Sequence, residues 1–99
     1  MAVMVEIHFP VTAEDEWVDD VGDFLIDLEE ELGFEEYEDG EEFGDDYIFF
    51  LAGASERTLL KAASRVATRE GVPPGAYAMV TDTAAPKIGM GRRVSLPVR

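Results

Sequence analysis

The order in which apolar periodicities follow one another along the chain restricts the folds it can adopt. Apolar residues recur at every second position from Val3 to Phe9, which is typical of a half-buried strand. Residues 17–32 then carry apolar side chains at helical spacing, and Gly33 ends that pattern. Residues 47–52 form an uninterrupted apolar run, which indicates a central strand covered on at least one face.

The remaining elements follow from caps, turns and charge. A polar, acid-rich segment before the central strand reads as an edge strand bent or interrupted at Gly40, because charge on an edge blocks unwanted pairing. Ser55 is a candidate N-cap for a second helix, and Gly71 ends it. The predicted elements are strands at 3–10, 34–43, 47–52, 77–81 and 94–98, and helices at 13–32 and 56–70.

This order predicts one α+β domain that spans residues 1–99. The pattern β-α-β-β-α-β favours a ferredoxin-like sandwich, in which a four-stranded antiparallel sheet carries both helices on one face. The first and third strands would be central, and the segment at 94–98 would add a short fifth strand. A four-stranded sheet with a different strand order is the alternative.

Charge divides the chain into two unlike halves. Of its 22 acidic residues, 19 lie in residues 1–50, and the first of its 8 basic residues is Arg57. Cys is absent, which excludes disulfides and thiolate chemistry. A targeting peptide needs early basic residues, and no apolar run approaches the roughly 20 residues of a membrane span, so we expect a cytoplasmic protein without membrane contact.

The acids of the first helix and of the edge strand are the candidate partner-binding residues. Like charges four residues apart destabilise a helix, and Glu29–Glu31 oppose its dipole, so the acids do not serve helix stability. They are either a solvated face that confers solubility or a docking surface for a basic protein. The candidates are Glu16, Asp19, Asp20, Asp23, Asp27, Glu30, Glu36, Glu38, Glu41 and Glu42.

The second helix carries Arg57, Lys61, Arg65 and Arg69 at steps of four, which form one slanting stripe. The stripe either faces the acids of the first helix and neutralises part of them, or contacts a phosphate or carboxylate. Eight bases in a chain of net charge −14 are a poor electrostatic match for nucleic acid. We therefore expect no direct nucleic-acid binding.

The sequence predicts no metal, cofactor or catalytic residue. An EF-hand-like loop from Glu35 to Asp46 would have Tyr37 at a ligand position and would lack the final Glu. His8 is the only histidine, so it cannot build a His-rich zinc site. A small enzyme using His8 with Glu6 or Tyr47 stays open, although an exposed or dimer-interface His8 is the preferred interpretation.

One sheet face is expected to lack helices and to stay open. Met4, Glu6 and His8 would line it. A half-apolar open face usually meets a ligand, a partner or a second copy. A small-molecule-binding or regulatory domain is therefore the alternative to the acidic interaction module, and a homodimer would form through this face or the edge strand.

Most of the chain resembles a group of small acidic bacterial proteins with a split β-α-β pattern. The resemblance rests on V-E-I-H-F-P at 5–10, E-D-G-E-E-F-G at 38–44, Y-I-F-F-L at 47–51 and V-P-P-G-A-Y-A at 72–78. It supports the strand-turn-strand interpretation, brings no known catalytic residues and implies no activity. In size and charge alone, the chain is similar to immunity proteins and antitoxins that block basic toxins.

Overall fold

The computed structural model of the chain describes residues 3–12, 16–83 and 91–98, and of residues 37–39 it describes the backbone alone. Within these ranges the protein is mixed α+β, with two helices and an antiparallel sheet, as the sequence predicts. Neither described helix has the length and apolar composition needed to cross a membrane. The elements are β1 (Val3–Pro10), α1 (Glu16–Leu32), β2 (Glu35–Phe43), β3 (Asp46–Ala52), α2 (Glu56–Ala67), β4 (Tyr77–Asp82) and β5 (Arg92–Ser95).

The described strands form one sheet in the order β2-β3-β1-β4-β5, and every neighbouring pair is antiparallel. In β1, Ile7 lies opposite Phe49 of β3 on one side and Ala78 of β4 on the other. The described sheet has more than four strands, because the short C-terminal strand that the sequence predicts is present as β5. It extends the sheet beyond β4, where Val94 lies opposite Ala78.

Several element boundaries differ from the predicted ones. Helix α2 ends at Ala67 rather than at residue 70. Thr68 is its C-cap, with φ −98° and ψ 4°, and the next backbone N–H, that of Arg69, donates to the Val66 carbonyl three residues back instead of four. Strand β5 covers residues 92–95 rather than 94–98. The predicted first turn of α1 includes residues 13–15, which lie outside the described residues.

Two local predictions agree with the structure. Ser55 caps α2, since its Oγ accepts a hydrogen bond from the Thr58 backbone N–H at 3.2 Å. The edge strand β2 is irregular on both sides of residue 38, and its second irregularity includes Gly40. A Cβ at Gly40 would lie only 2.8 Å from Cε1 of Tyr47, so the close approach of β3 requires glycine here.

Both faces of the central strand β1 are buried, but they meet different neighbours. Its odd-numbered residues, such as Ile7, pack into the main core between the sheet and the helices. There they meet residues of α1 and α2, including Leu25 and Leu59. On the opposite face Met4 packs with Ile48 and Phe50 in a second, smaller core.

The two faces of α1 give a direct test of this packing. Leu25 is fully buried, whereas its neighbour Ile26 is 55% exposed. We expect Leu25→Ala to lower the free energy of unfolding by about 3 kcal/mol, because it leaves a cavity between helix and sheet. Ile26→Ala, the matched control, should change it by less than about 0.5 kcal/mol. Urea denaturation measures both, and equal losses would contradict the assignment of the buried face.

Candidate functional site

The exposed side of α1 presents a surface made almost entirely of carboxylates. At about 100° of rotation per residue, five acids fall within an arc of about 80° on the side opposite the buried residues. All five side chains are exposed. No ion pair joins any of them to a base in the described part of the chain. We call this surface the outer acidic face; it consists of Glu16, Asp19, Asp23, Asp27 and Glu30.

The edge of α1 that faces α2 is neutralised. Arg69 donates two hydrogen bonds of 3.1 Å to the Asp20 carboxylate, and Arg65 donates to Glu31. Both guanidinium groups also lie over the Phe24 ring, with Cζ 4.1 Å (Arg69) and 5.9 Å (Arg65) from its centroid. The predicted neutralisation of α1 by the basic stripe therefore occurs, but it reaches only this edge and leaves the outer acidic face uncompensated.

The acids of β2 continue the negative surface along the edge of the sheet. Glu41 and Glu42 are exposed, and both lie on β2, which pairs only with β3 among the described strands. Glu36 is half-buried, and its backbone N–H donates to Oε1 of Glu29 at 2.7 Å, which ties this edge to α1. The backbone of Glu38 lies opposite Phe50, while its side chain is outside the described part of the structure.

The helix-free face of the sheet is not the open surface that the sequence predicts. Met4, Glu6 and His8 do lie on that face, but they are only 7%, 1% and 3% exposed. The expectation of an exposed or dimer-interface His8 is therefore wrong. The reason is that side chains of the neighbouring strands cover this face: the Tyr77 ring stacks on His8, and Met4 packs with Ile48 and Phe50.

His8 contacts a carboxylate through each of its ring nitrogens. Nε2 lies 2.9 Å from Oε1 of Glu6, and Nδ1 lies 3.1 Å from Oδ2 of Asp46. A neutral imidazole has a single N–H and can donate to only one of these oxygens. His8 therefore donates a hydrogen bond to at least one of the two carboxylates.

Tyr77 completes this group from the neighbouring strand. Its hydroxyl donates to Oδ2 of Asp46 at 2.9 Å, and its ring stacks on that of His8 with centroids 4.7 Å apart. Cζ of Arg93, from β5, lies 4.0 Å from the Tyr77 centroid. Burial raises the pKa of the Tyr77 phenol, and the hydrogen bond to Asp46 and its charge raise it further, whereas Arg93 lowers it. We call Glu6, His8, Asp46 and Tyr77 the buried polar cluster.

Sequence reasoning found only half of the buried polar cluster. It paired His8 with Glu6, which the structure bears out, but it also offered Tyr47, which is wrong. Tyr47 lies on the helix-facing side, where its ring centroid is 5.2 Å from that of Phe49. The sequence places Asp46 only at the end of an EF-hand-like loop and Tyr77 only in a strand. The strand register, in which Tyr77 lies opposite His8, is the missing signal.

Comparison with known proteins adds no assignment to this geometry. No protein-family model matches the chain, and no curated protein matches it. Among the described residues, no group of three or more His, Cys, Asp or Glu side chains is arranged to hold a metal ion. The outer acidic face and the acids of β2 together are the candidate binding surface.

Removing the Tyr77 hydroxyl should change how stability depends on pH. The raised pKa of Tyr77 means that the folded state favours the neutral phenol. The phenol therefore contributes fully to the free energy of unfolding below its ordinary pKa of 10.0, and this contribution is lost as pH rises through the pKa of the folded state. Tyr77→Phe should cost about 1 kcal/mol near pH 8. That difference from the unmodified protein should shrink above about pH 10. Urea denaturation from pH 8 to 11 measures it, and a constant difference would contradict the mechanism.

His8 should matter to stability through its two carboxyl contacts. His8→Ala removes the ring that contacts Glu6 and Asp46 and stacks on Tyr77, so we expect the free energy of unfolding at pH 7 to fall by about 3 kcal/mol. Val11→Ala, at a 41% exposed side chain just beyond β1, is the control and should change it by less than about 0.5 kcal/mol. Thermal and urea unfolding compare the two, and an equally small effect of both would rule out a structural role for the cluster.

Proposed function

We propose that this protein is a non-enzymatic interaction module that binds a basic protein through the outer acidic face and the acids of β2. The observation that carries the proposal is the outer acidic face itself. Its five exposed carboxylates lie on one arc of α1, and no base of the described chain pairs with them. Such a surface attracts a positively charged partner and repels negatively charged ones.

The energetics of α1 favour a binding role over a structural one. Asp23 lies four residues from both Asp19 and Asp27, and each such like-charge pair costs a few tenths of a kcal/mol. The last turn of the helix contains no basic residue and ends with Glu30 and Glu31, which oppose the helix dipole. Bases are nevertheless available on α2. The separation of acids on α1 from bases on α2 therefore lowers the stability of α1 while it maintains a negative surface. Solubility alone does not require that arrangement.

The chemistry of the surface suggests the kind of partner. Carboxylates spaced along a helix can stand in for the phosphates that a nucleic-acid-binding protein recognises. A nuclease toxin, or another basic protein that binds nucleic acid, would present the complementary charge. The proposed role is therefore that of an inhibitor, similar in kind to an immunity protein or antitoxin.

The alternatives from the sequence receive less support from the geometry. A ligand-binding face or a small enzyme centred on His8 needs solvent access to Met4, Glu6 and His8, and all three are buried. A homodimer through that face meets the same obstacle. Pairing of two β2 edges remains an alternative mode of self-association, although the acids of that strand would repel their copies.

We also propose that the architecture is a ferredoxin-like sandwich extended by β5, acting in the cytoplasm. The order β2-β3-β1-β4, the antiparallel pairing and the packing of both helices into the core on one side of β1 support this fold. The absence of Cys is compatible with a reducing compartment.

The proposal is tested by neutralising the outer acidic face without disturbing the core. The variant Asp23→Asn/Asp27→Asn/Glu30→Gln removes three exposed charges. Immobilised wild-type protein should retain a basic protein from a lysate of the source organism at 50 mM NaCl. Once that protein is purified, the variant should associate with it about tenfold more slowly, and the wild-type rate should fall as salt rises.

A matched pair of single variants separates the surface from net charge. Asp23→Asn and Glu70→Gln each remove one exposed negative charge, but only Asp23 lies on the outer acidic face. We expect slower association with Asp23→Asn alone, while its free energy of unfolding rises by roughly 0.5 kcal/mol because two like-charge pairs are relieved. Equal effects of both variants on binding, or binding that salt does not weaken, would refute the proposal.

A further inference from the structure

A groove lies between α2 and the C-terminal segment around Val98. Its volume is about 510 Å³, and its lining includes the apolar side chains of Leu60 and Val98. The backbone N–H of Val98 donates to Oγ of Ser64 at 2.8 Å, which holds the C-terminal segment against the helix. The volume falls within the range of roughly 300–1,000 Å³ that is usual for small-molecule sites.

Positive charge is concentrated at this groove although the chain as a whole is acidic. Arg57, Lys61 and Arg65 line it from successive turns of α2. Arg65 pairs with Glu31, but Arg57 and Lys61 are exposed and form no ion pair with any acid in the described ranges. In a protein with 22 acids, two neighbouring bases without such a partner are a specific arrangement.

The acidic residue that also lines the groove does not cancel these charges. The Glu56 carboxylate accepts a hydrogen bond from Nη2 of Arg92 at 2.8 Å, so β5 supplies its counter-charge. The Ser64 hydroxyl accepts from the Val98 backbone N–H and keeps one proton of its own to donate. Basic side chains, a hydroxyl group and apolar side chains thus line one concave surface.

We propose that this groove binds small amphiphilic anions. A carboxylate or phosphate head would contact Arg57 and Lys61, and a short apolar body would lie over Leu60 and Val98. Arginine and lysine both bind such heads, so the shared chemistry is an anionic head joined to an apolar body. This site lies on α2 and is independent of the partner surface proposed on α1.

The test uses defined probes and maps where they bind. Octanoate and octyl phosphate are titrated into ¹⁵N-labelled protein, with acetate, inorganic phosphate and 1-octanol as probes that lack either the apolar body or the charge. We expect saturable shifts of the amides of residues 57–65 and 98 with the two amphiphilic anions, and weaker binding of the other three. The tighter of the two anions identifies the preferred head group.

Variants distinguish the groove from general charge effects. Arg57→Gln/Lys61→Gln should weaken octanoate and octyl phosphate binding at least about fivefold, and Val98→Ser should weaken both as well. Arg93→Gln removes a positive charge outside the groove and should change binding less than about twofold. Binding of 1-octanol as tight as that of octanoate, equal binding of acetate or inorganic phosphate, or equal losses in Arg93→Gln would overturn the proposal.

Discussion

The burial of β1 on both faces is the constraint on which the rest of the structure depends. Six consecutive residues, from Met4 to Phe9, are buried, although the strand alternates between apolar and polar positions. Its odd positions can be enclosed by hydrophobic packing against the helices. Its even positions include Glu6 and His8, and a buried charged or polar side chain is tolerated only when hydrogen bonds replace its lost hydration. The pairing of β1 with β3 and β4 supplies these partners, because it brings Asp46 and Tyr77 beside His8.

The buried polar cluster consequently has a structural logic that differs from that of an exposed catalytic centre. Its groups come from three adjacent strands, so their hydrogen bonds form only when the strands pair in the observed register. A shift of one residue would turn His8 toward the helices and separate it from Asp46. The cluster therefore favours one register of the central strands.

The sequence predicts the features of this protein that arise from local periodicity and charge, and fails where contacts depend on register. The alternation in β1, the helical spacing in α1 and the Ser55 cap are local, and all were predicted. The burial of His8 was missed, since alternation shows which residues share a face but not whether that face is covered. The roles of Asp46 and Tyr77 were missed because these residues are far from His8 in sequence. Helix α2 was predicted too long because the basic residues keep helical spacing up to Arg69, whereas the backbone leaves helical dihedral angles at Thr68.

The fold neutralises part of the charge that the sequence separates and leaves the rest on two different surfaces. The fold brings part of the basic stripe of α2 against α1, where Arg65 and Arg69 neutralise Glu31 and Asp20. These ion pairs leave two exposed groups of opposite charge: the outer acidic face of α1, and Arg57 and Lys61 on α2. Because the charges that meet between the helices neutralise each other, the unpaired charges form separate acidic and basic regions of the surface. The net charge of −14 is therefore an incomplete description, since a basic partner and a small anion would each meet a different surface of one molecule.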